Sequence, residues 1–278
     1  MAYRRPTQRS LPGFGLTLGG TLVYMSVIVL LPIGALLFKS SSMGWQGFIA
    51  AVTSERALAS YRVTAGAALG ATVFNALFGL LIAWILVRYR FPGRRLLDSL
   101  VDLPFALPTA VAGIVLTSLL VPNGWFGRYL EPLGIQVAFT WAGIVIAMAF
   151  TSIPFVIRST QAALEELDPE MEQAARVLGA SDAQVFARVI FPSVFAPFLA
   201  GCTLAFARSL GEFGAVIFIA GNLPMETEIT TLLTVIRLEE FDYPAAAALA
   251  TVTLLAALVI LAVASAVQRR HLRFVGRS

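Results

Sequence analysis

Apolar residues in this chain come in long blocks. Runs without a charged side chain cover residues 10–38, 63–87, 103–127, 132–157, 189–207 and 243–268. A helix needs roughly 20 apolar residues to cross the hydrocarbon core of a bilayer, so most of the runs suffice as they stand. The run 189–207 suffices once Arg208 and Glu212 are admitted, giving a segment of about 194–220. The pattern predicts an all-α membrane protein with six transmembrane helices, at about 16–38, 62–87, 101–121, 138–158, 194–220 and 245–267. A closed β-barrel, the other spanning architecture, would show strands of about ten residues with alternating polarity. The chain has no such segments.

Details within the blocks predict how they pack and where they break. Gly66-Ala-Ala-Leu-Gly70 has small residues four apart, which lets helix backbones approach closely. Pro104 and Pro108 loosen the backbone ladder at the start of the third span, either as a hinge or as a shallow entry. Trp45, Phe48, Trp125 and Tyr129 fall in loops at depths that suit the membrane interface. The first run follows Arg4, Arg5 and Arg9, as in a signal peptide, but it is too long for one and lacks an Ala-x-Ala exit. It reads as a retained anchor. No internal repeat is evident. The organisation is a basic tail, first helix and outer loop (1–60), a transmembrane core (61–267) and a basic tail (268–278).

Charge sets the orientation. With the N-terminus inside, the inner segments carry Arg4, Arg5, Arg9, Arg88, Arg90, Arg94, Arg95, Arg158, Arg176, Arg188, Arg269, Arg270, Arg273 and Arg277. The outer segments carry only Lys39, Arg56, Arg62, Arg128 and Arg237. Basic loops stay in the cytoplasm, so both termini are expected there, in a bacterial plasma (inner) membrane. The surplus of Lys and Arg over Asp and Glu, 20 against 16, then reflects topology and contact with anionic membrane lipid. No nucleic-acid partner is expected.

Several chemistries lack their residues. One His271 and one Cys202 cannot build a His/Cys zinc site, a disulfide or a Cys–His catalytic pair within the chain. The only lysine, Lys39, follows Phe38, where a phosphate-binding loop requires glycine. No metal, cofactor or catalytic residue is expected. If ATP drives this protein, a partner subunit hydrolyses it.

One polar stretch interrupts the apolar pattern between the fourth and fifth spans. Asp168-Pro169 is a helix start, followed by Glu170 and Glu172 at the positive end of the dipole. Gly179 can end that helix in the left-handed conformation. Ser181-Asp-Ala-Gln184 is a capping box for a second short helix, expected to end at Pro192. The outcome is a pair of short helices joined at Gly179-Ala180-Ser181. Physics alone leaves two readings open: a connector resting on headgroups, or a docking element for a soluble partner.

The same stretch resembles a known signature. In Glu-Ala-Ala-x3-Gly-x9-Ile-x-Leu-Pro, the cytoplasmic motif of ABC importer permeases, Ala174, Ala175, Gly179 and Pro192 fall in place. Val189 stands for Ile and Phe191 for Leu, while Gln173 occupies the Glu position with Glu172 just before it. Further stretches resemble the T-type sulfate/thiosulfate permeases of this family. They include Val101-Asp-Leu-Pro-Phe-Ala-Leu-Pro108, Arg208-Ser-Leu-Gly-Glu-Phe-Gly214 and Phe241-Asp-Tyr-Pro244.

The resemblance implies a type I ABC importer permease bundle. It also implies that the elbow, through Glu172, Gln173, Ala174, Ala175, Gly179, Ala180, Ser181 and Pro192, docks in a cleft of a cytoplasmic ABC ATPase dimer. Further partners implied are a second permease subunit, homologous or identical, and a periplasmic sulfate-binding protein. The rival substrates are molybdate and tungstate. In a different class stands a self-contained anion channel or proton-coupled carrier.

The candidate translocation path is Arg208, Ser209 and Glu212. Arg208 and Glu212 are four apart, about midway along the expected fifth helix, and can reach each other. Charges at that depth face the bundle interior or a water-filled route. The pair either fixes helix packing or lends positive potential to an anion, with Ser209, Gly211 and Gly214 opening space beside it. Both readings remain open at this point.

Overall fold

The structure is a computed structural model that describes residues 14–275, with side chains through Gln268. The expected basic positions Arg4, Arg5 and Arg9 lie outside the described residues, as do the side chains of Arg269 to Arg277. The described residues form α-helices joined by short turns, one of them a 3-10 turn at Glu131–Leu133. The long helices are α1 (Phe14–Ser41), α3 (Glu55–Arg88), α8 (Trp141–Glu165), α10 (Asp182–Leu210) and α13 (Tyr243–Val275). The short ones before α8 are α2 (Gly44–Val52), α4 (Arg94–Val101), α5 (Leu103–Ala106), α6 (Thr109–Leu120) and α7 (Gly127–Leu130). After it come α9 (Pro169–Val177), α11 (Val216–Ile219) and α12 (Thr230–Glu239).

Among the described residues, five helices are long and apolar enough to cross a membrane: α1, α3, α8, α10 and the Tyr243–Gln268 part of α13. The expected third span at 101–121 is not one helix. Pro108 forces the residue before it out of the helical region, and Leu107 accordingly sits at φ −83°, ψ 133°. What remains, α6, has 12 residues, too few to cross alone. Pro108 thus breaks the backbone, whereas Pro104 is accommodated in the first turn of α5, and the apolar run folds as the separate helices α5 and α6.

The fifth span also departs from expectation. It covers Asp182–Leu210 rather than 194–220, and the second elbow helix does not stop at Pro192. A π-turn at Phe186–Ile190 carries the helix past Pro192, with Phe191 N–H donating to the Phe186 carbonyl. The wider turn accommodates a residue that has no N–H to give. At the other end the helix stops at Gly211.

Small residues bring the central helices together. Gly70 of α3 lies against Trp141 and Val145 of α8, and Gly79 against Val156 of the same helix, so the two run parallel. A Cβ on Gly79 would come within 2.9 Å of Val156. The antiparallel α10 closes on α8 at Gly201, where an added Cβ would lie 2.0 Å from Ser159 Oγ. Lipid gives no hydrophobic drive between helices, so close backbone approach supplies the packing energy. Around this seam the buried core gathers Ala67, Ala71, Ile144, Met148, Ala215 and Ile219. The part of α1 at Phe14–Met25 buries nothing in this chain, and only its second half lies along α13.

Candidate functional site

The elbow is built as its caps dictate. Asp168 accepts the Glu170 N–H at 2.9 Å and opens α9. At the far end Gly179 takes φ +84°, which returns the Ala180 N–H to the Ala175 carbonyl at 3.1 Å. That six-to-one closure, with its hydrophobic contact, is a Schellman stop. Ser181 and Gln184 form both halves of the capping box, at 2.9 and 3.4 Å. Ala175 and Ala180 face a buried cluster of Leu86, Leu164, Val185 and Ile190. The opposite face is open: Gln173, Ala174 and Gly179 are exposed, and Val177 and Leu178 are each 87% exposed.

Glu172 does not share that open face. Its carboxylate is buried and accepts from the Arg88 guanidinium at the end of α3. Arg88 also stacks on Trp84, 5.1 Å from the ring centre. A cavity of about 420 Å³ borders this contact, between Trp84, Tyr89, Arg176 and Phe186. Sequence reasoning missed Arg88 because its partner lies 84 positions away. The residue aimed outward at the motif's Glu position is Gln173.

The pair Arg208–Glu212 is not a mid-helix pair on one face. Because α10 ends at Leu210, Glu212 sits in the following turn, and its carboxylate bends back to Arg208 Nη1 at 2.5 Å. Its other oxygen accepts the Ala215 N–H at 3.1 Å, at the entrance to α11. The carboxylate is 1% exposed and the arginine side chain 36%. A buried carboxylate needs such partners, so the pair also shapes the turn between α10 and α11.

Ser209 is buried and donates to Ser152 of α8 at 3.2 Å. Asn75 of α3 joins them, donating to Ser152 Oγ at 2.9 Å and to the Ala149 carbonyl at 3.1 Å. This polar chain across three helices was not foreseen. Gly214 opens no space, since a Cβ there would lie 2.1 Å from Thr109 Oγ1. Gly211 does face open room. Beside it an apolar cavity of about 490 Å³ runs between α10, α12 and α13, lined by Ala207, Phe213, Thr231 and Val235 among others.

At the opposite end of α3, Arg56 grips Glu228 with both arms, Nε to Oε2 at 2.8 Å and Nη2 to Oε1 at 2.6 Å. Glu228 is 1% exposed. Thr230 next to it donates its N–H to Thr64 Oγ1 at 2.9 Å. The loop before α12 is thus tied to α3.

Comparison with known proteins gives this helical membrane bundle its family. Residues 75–276 match the family described as the binding-protein-dependent transport system inner membrane component. The chain is 54% identical over 269 residues to the sulfate transport system permease protein CysT of Salmonella typhimurium, covering 97% of each chain. The corresponding protein of Escherichia coli strain K12 is 52% identical, again over 97% of each.

Among solved structures, a bacterial ABC transporter involved in the import of alginate superposes with TM-score 0.76. The match is at 18% identity and covers 92% of this chain and 94% of that one. An amino acid ABC transporter superposes at 0.52, with 22% identity over 74% and 90% of the two chains. This chain belongs to the family of binding-protein-dependent inner membrane components, the permeases of ABC importers. It is a multi-pass membrane subunit and not the ATPase. Its work therefore involves an ATPase and a binding protein.

Proposed function

We propose that this chain forms one half of the membrane pathway of a sulfate importer. The observation that carries the reading is end-to-end similarity, above half identity, to permeases named for sulfate transport. The arginine count supports placing both termini and the elbow in the cytoplasm. In that orientation six crossings are completed by a third one assembled from α5 and α6, with their proline break. A cytoplasmic ABC ATPase dimer docks on the open face of the elbow, where Gln173, Val177 and Leu178 are presented. The half-buried residues behind, Ala175 and Ala180, transmit its movement to α8 and α10.

A second permease subunit, homologous or identical, faces the apolar cavity beside Gly211. The periplasmic sulfate-binding protein delivers the anion to the opposite side. Transport then requires two states that differ in their contacts with ATPase and binding protein. Arg208, freer than Glu212, supplies positive potential at the helix break, while Glu212 keeps the site from holding the anion too tightly. Ser209 positions that break through Ser152. The chain binds no cofactor of its own, and ATP is consumed by the partner.

The test is co-purification with the ATPase and binding protein, followed by uptake of labelled sulfate against competing molybdate and tungstate. Sulfate is expected to be carried with preference, and preferred molybdate uptake would overturn the substrate. Arg208→Ala is expected to lower uptake more than it lowers the yield of assembled complex. Equal loss of both would leave the pair only a packing role.

A further inference from the structure

The turn after α3 and the helix α4 carry a surface that no transport step above uses. Along α4, Leu97 and Val101 face the core, while Leu96 and Leu100 point outward and are 65% and 49% exposed. Leu103 and Phe105 continue that exposed apolar strip into α5. The acidic side chains of the segment, about half exposed, are already paired. Arg158 of α8 donates Nε and Nη2 to Asp102 at 2.9 and 2.7 Å, and Nη1 to Asp98 at 2.5 Å. It also reaches the Asp98 carbonyl at 2.7 Å.

The arginines of the same segment are left over. Arg90, Arg94 and Arg95 make no ion pair among the described residues. Arg94 and Arg95 occupy the first turn of α4, where positive charge runs against the helix dipole. A helix with outward leucines, basic residues at its edge and its carboxylates already paired with Arg158 matches an interfacial helix.

We propose that α4 is a docking helix for anionic phospholipid. Arg90, Arg94 and Arg95 hold the headgroup phosphates, and Leu96, Leu100 and Leu103 enter the acyl boundary. Uncompensated cations beside an apolar strip complement a negatively charged lipid surface; a protein partner would have to neutralise the cations and cover the leucines together. Because Arg158 ties α4 to α8, and α8 leads through Asp168 into the elbow, lipid held at α4 also steadies the docking element.

The experiment uses the full chain in nanodiscs of phosphatidylcholine with a minor share of phosphatidylglycerol. After mild extraction, retained lipids are counted by native mass spectrometry. The wild type is expected to enrich phosphatidylglycerol, and R90Q/R94Q/R95Q to lose that enrichment by about tenfold or more, each charge near the surface contributing a several-fold factor. The R90K/R94K/R95K variant keeps the charges and is expected to retain most of it, separating charge from folding. Equal enrichment by wild type and the glutamine variant would overturn the proposal. So would unchanged enrichment with lost ATPase co-purification, which would assign this face to the ATPase.

Discussion

Near each extremity of α3 an arginine holds a buried glutamate from a distant segment, and the two contacts are built differently. Arg56 meets Glu228 as a two-armed fork on a carboxylate that is 1% exposed, with the Thr64–Thr230 hydrogen bond beside it. Bidentate geometry adds both strength and orientation. Arg88 meets Glu172 with one arm only, its Nε buried without a partner, next to a cavity of about 420 Å³. One end of the helix is a clamp and the other a latch. Under the proposed docking of an ATPase at the elbow, the single-armed contact suits a segment that shifts, while the two-armed one holds the opposite loop in place.

Removing the clamp has the largest expected effect. Arg56→Ala leaves the Glu228 carboxylate buried and unpaired, which costs about 3–5 kcal/mol. The thermal midpoint in detergent should drop steeply and amide exchange should quicken over residues 221–230. An unchanged midpoint would dissolve the comparison.

The latch should respond less and elsewhere. Arg88→Ala is expected to cost about 1–3 kcal/mol, since the adjoining cavity lets water reach Glu172. Exchange should rise over residues 169–190 while 221–230 stays protected, and ATPase stimulation by binding protein should fall further than complex yield. Faster exchange in both regions would mean that the two ends are one cooperative unit.

The smallest effect sharpens the comparison within the elbow. Gly179 holds φ +84°, so Gly179→Ala should cost about 1 kcal/mol there. A fall in the measured coupling to the ATPase, with the Arg56–Glu228 end unaffected, would place the movement at this joint.

Much of this architecture was legible from local sequence. The apolar blocks located α1, α3, α8 and α13, because a run of span length is a local property, although α3 begins at Glu55, α8 ends at Glu165 and α13 continues to Val275, beyond the apolar runs. The elbow's helix starts at Asp168 and Ser181 and its stop at Gly179 were legible because caps act within a turn of their own position. The fifth span was misplaced at both ends. Its start was hidden by a π-turn that carries the helix past Pro192, with Ile190 and Val194 packed in the core beside it. Its end was hidden because Arg208 and Glu212 at a spacing of four look the same inside a helix and across its terminus.

The sequence by itself determined that this is a helical membrane protein with a capped polar elbow, since hydropathy and capping are local properties of the chain. Only the tertiary structure decided which face of that elbow is open and which carboxylate is locked away. It also decided that Pro108 divides the third apolar run and that Ser209 meets Ser152 and Asn75. Contacts such as Arg88–Glu172 and Arg56–Glu228 join residues 84 and 172 positions apart. No periodicity encodes them, because they depend on how helices already formed come to lie against one another.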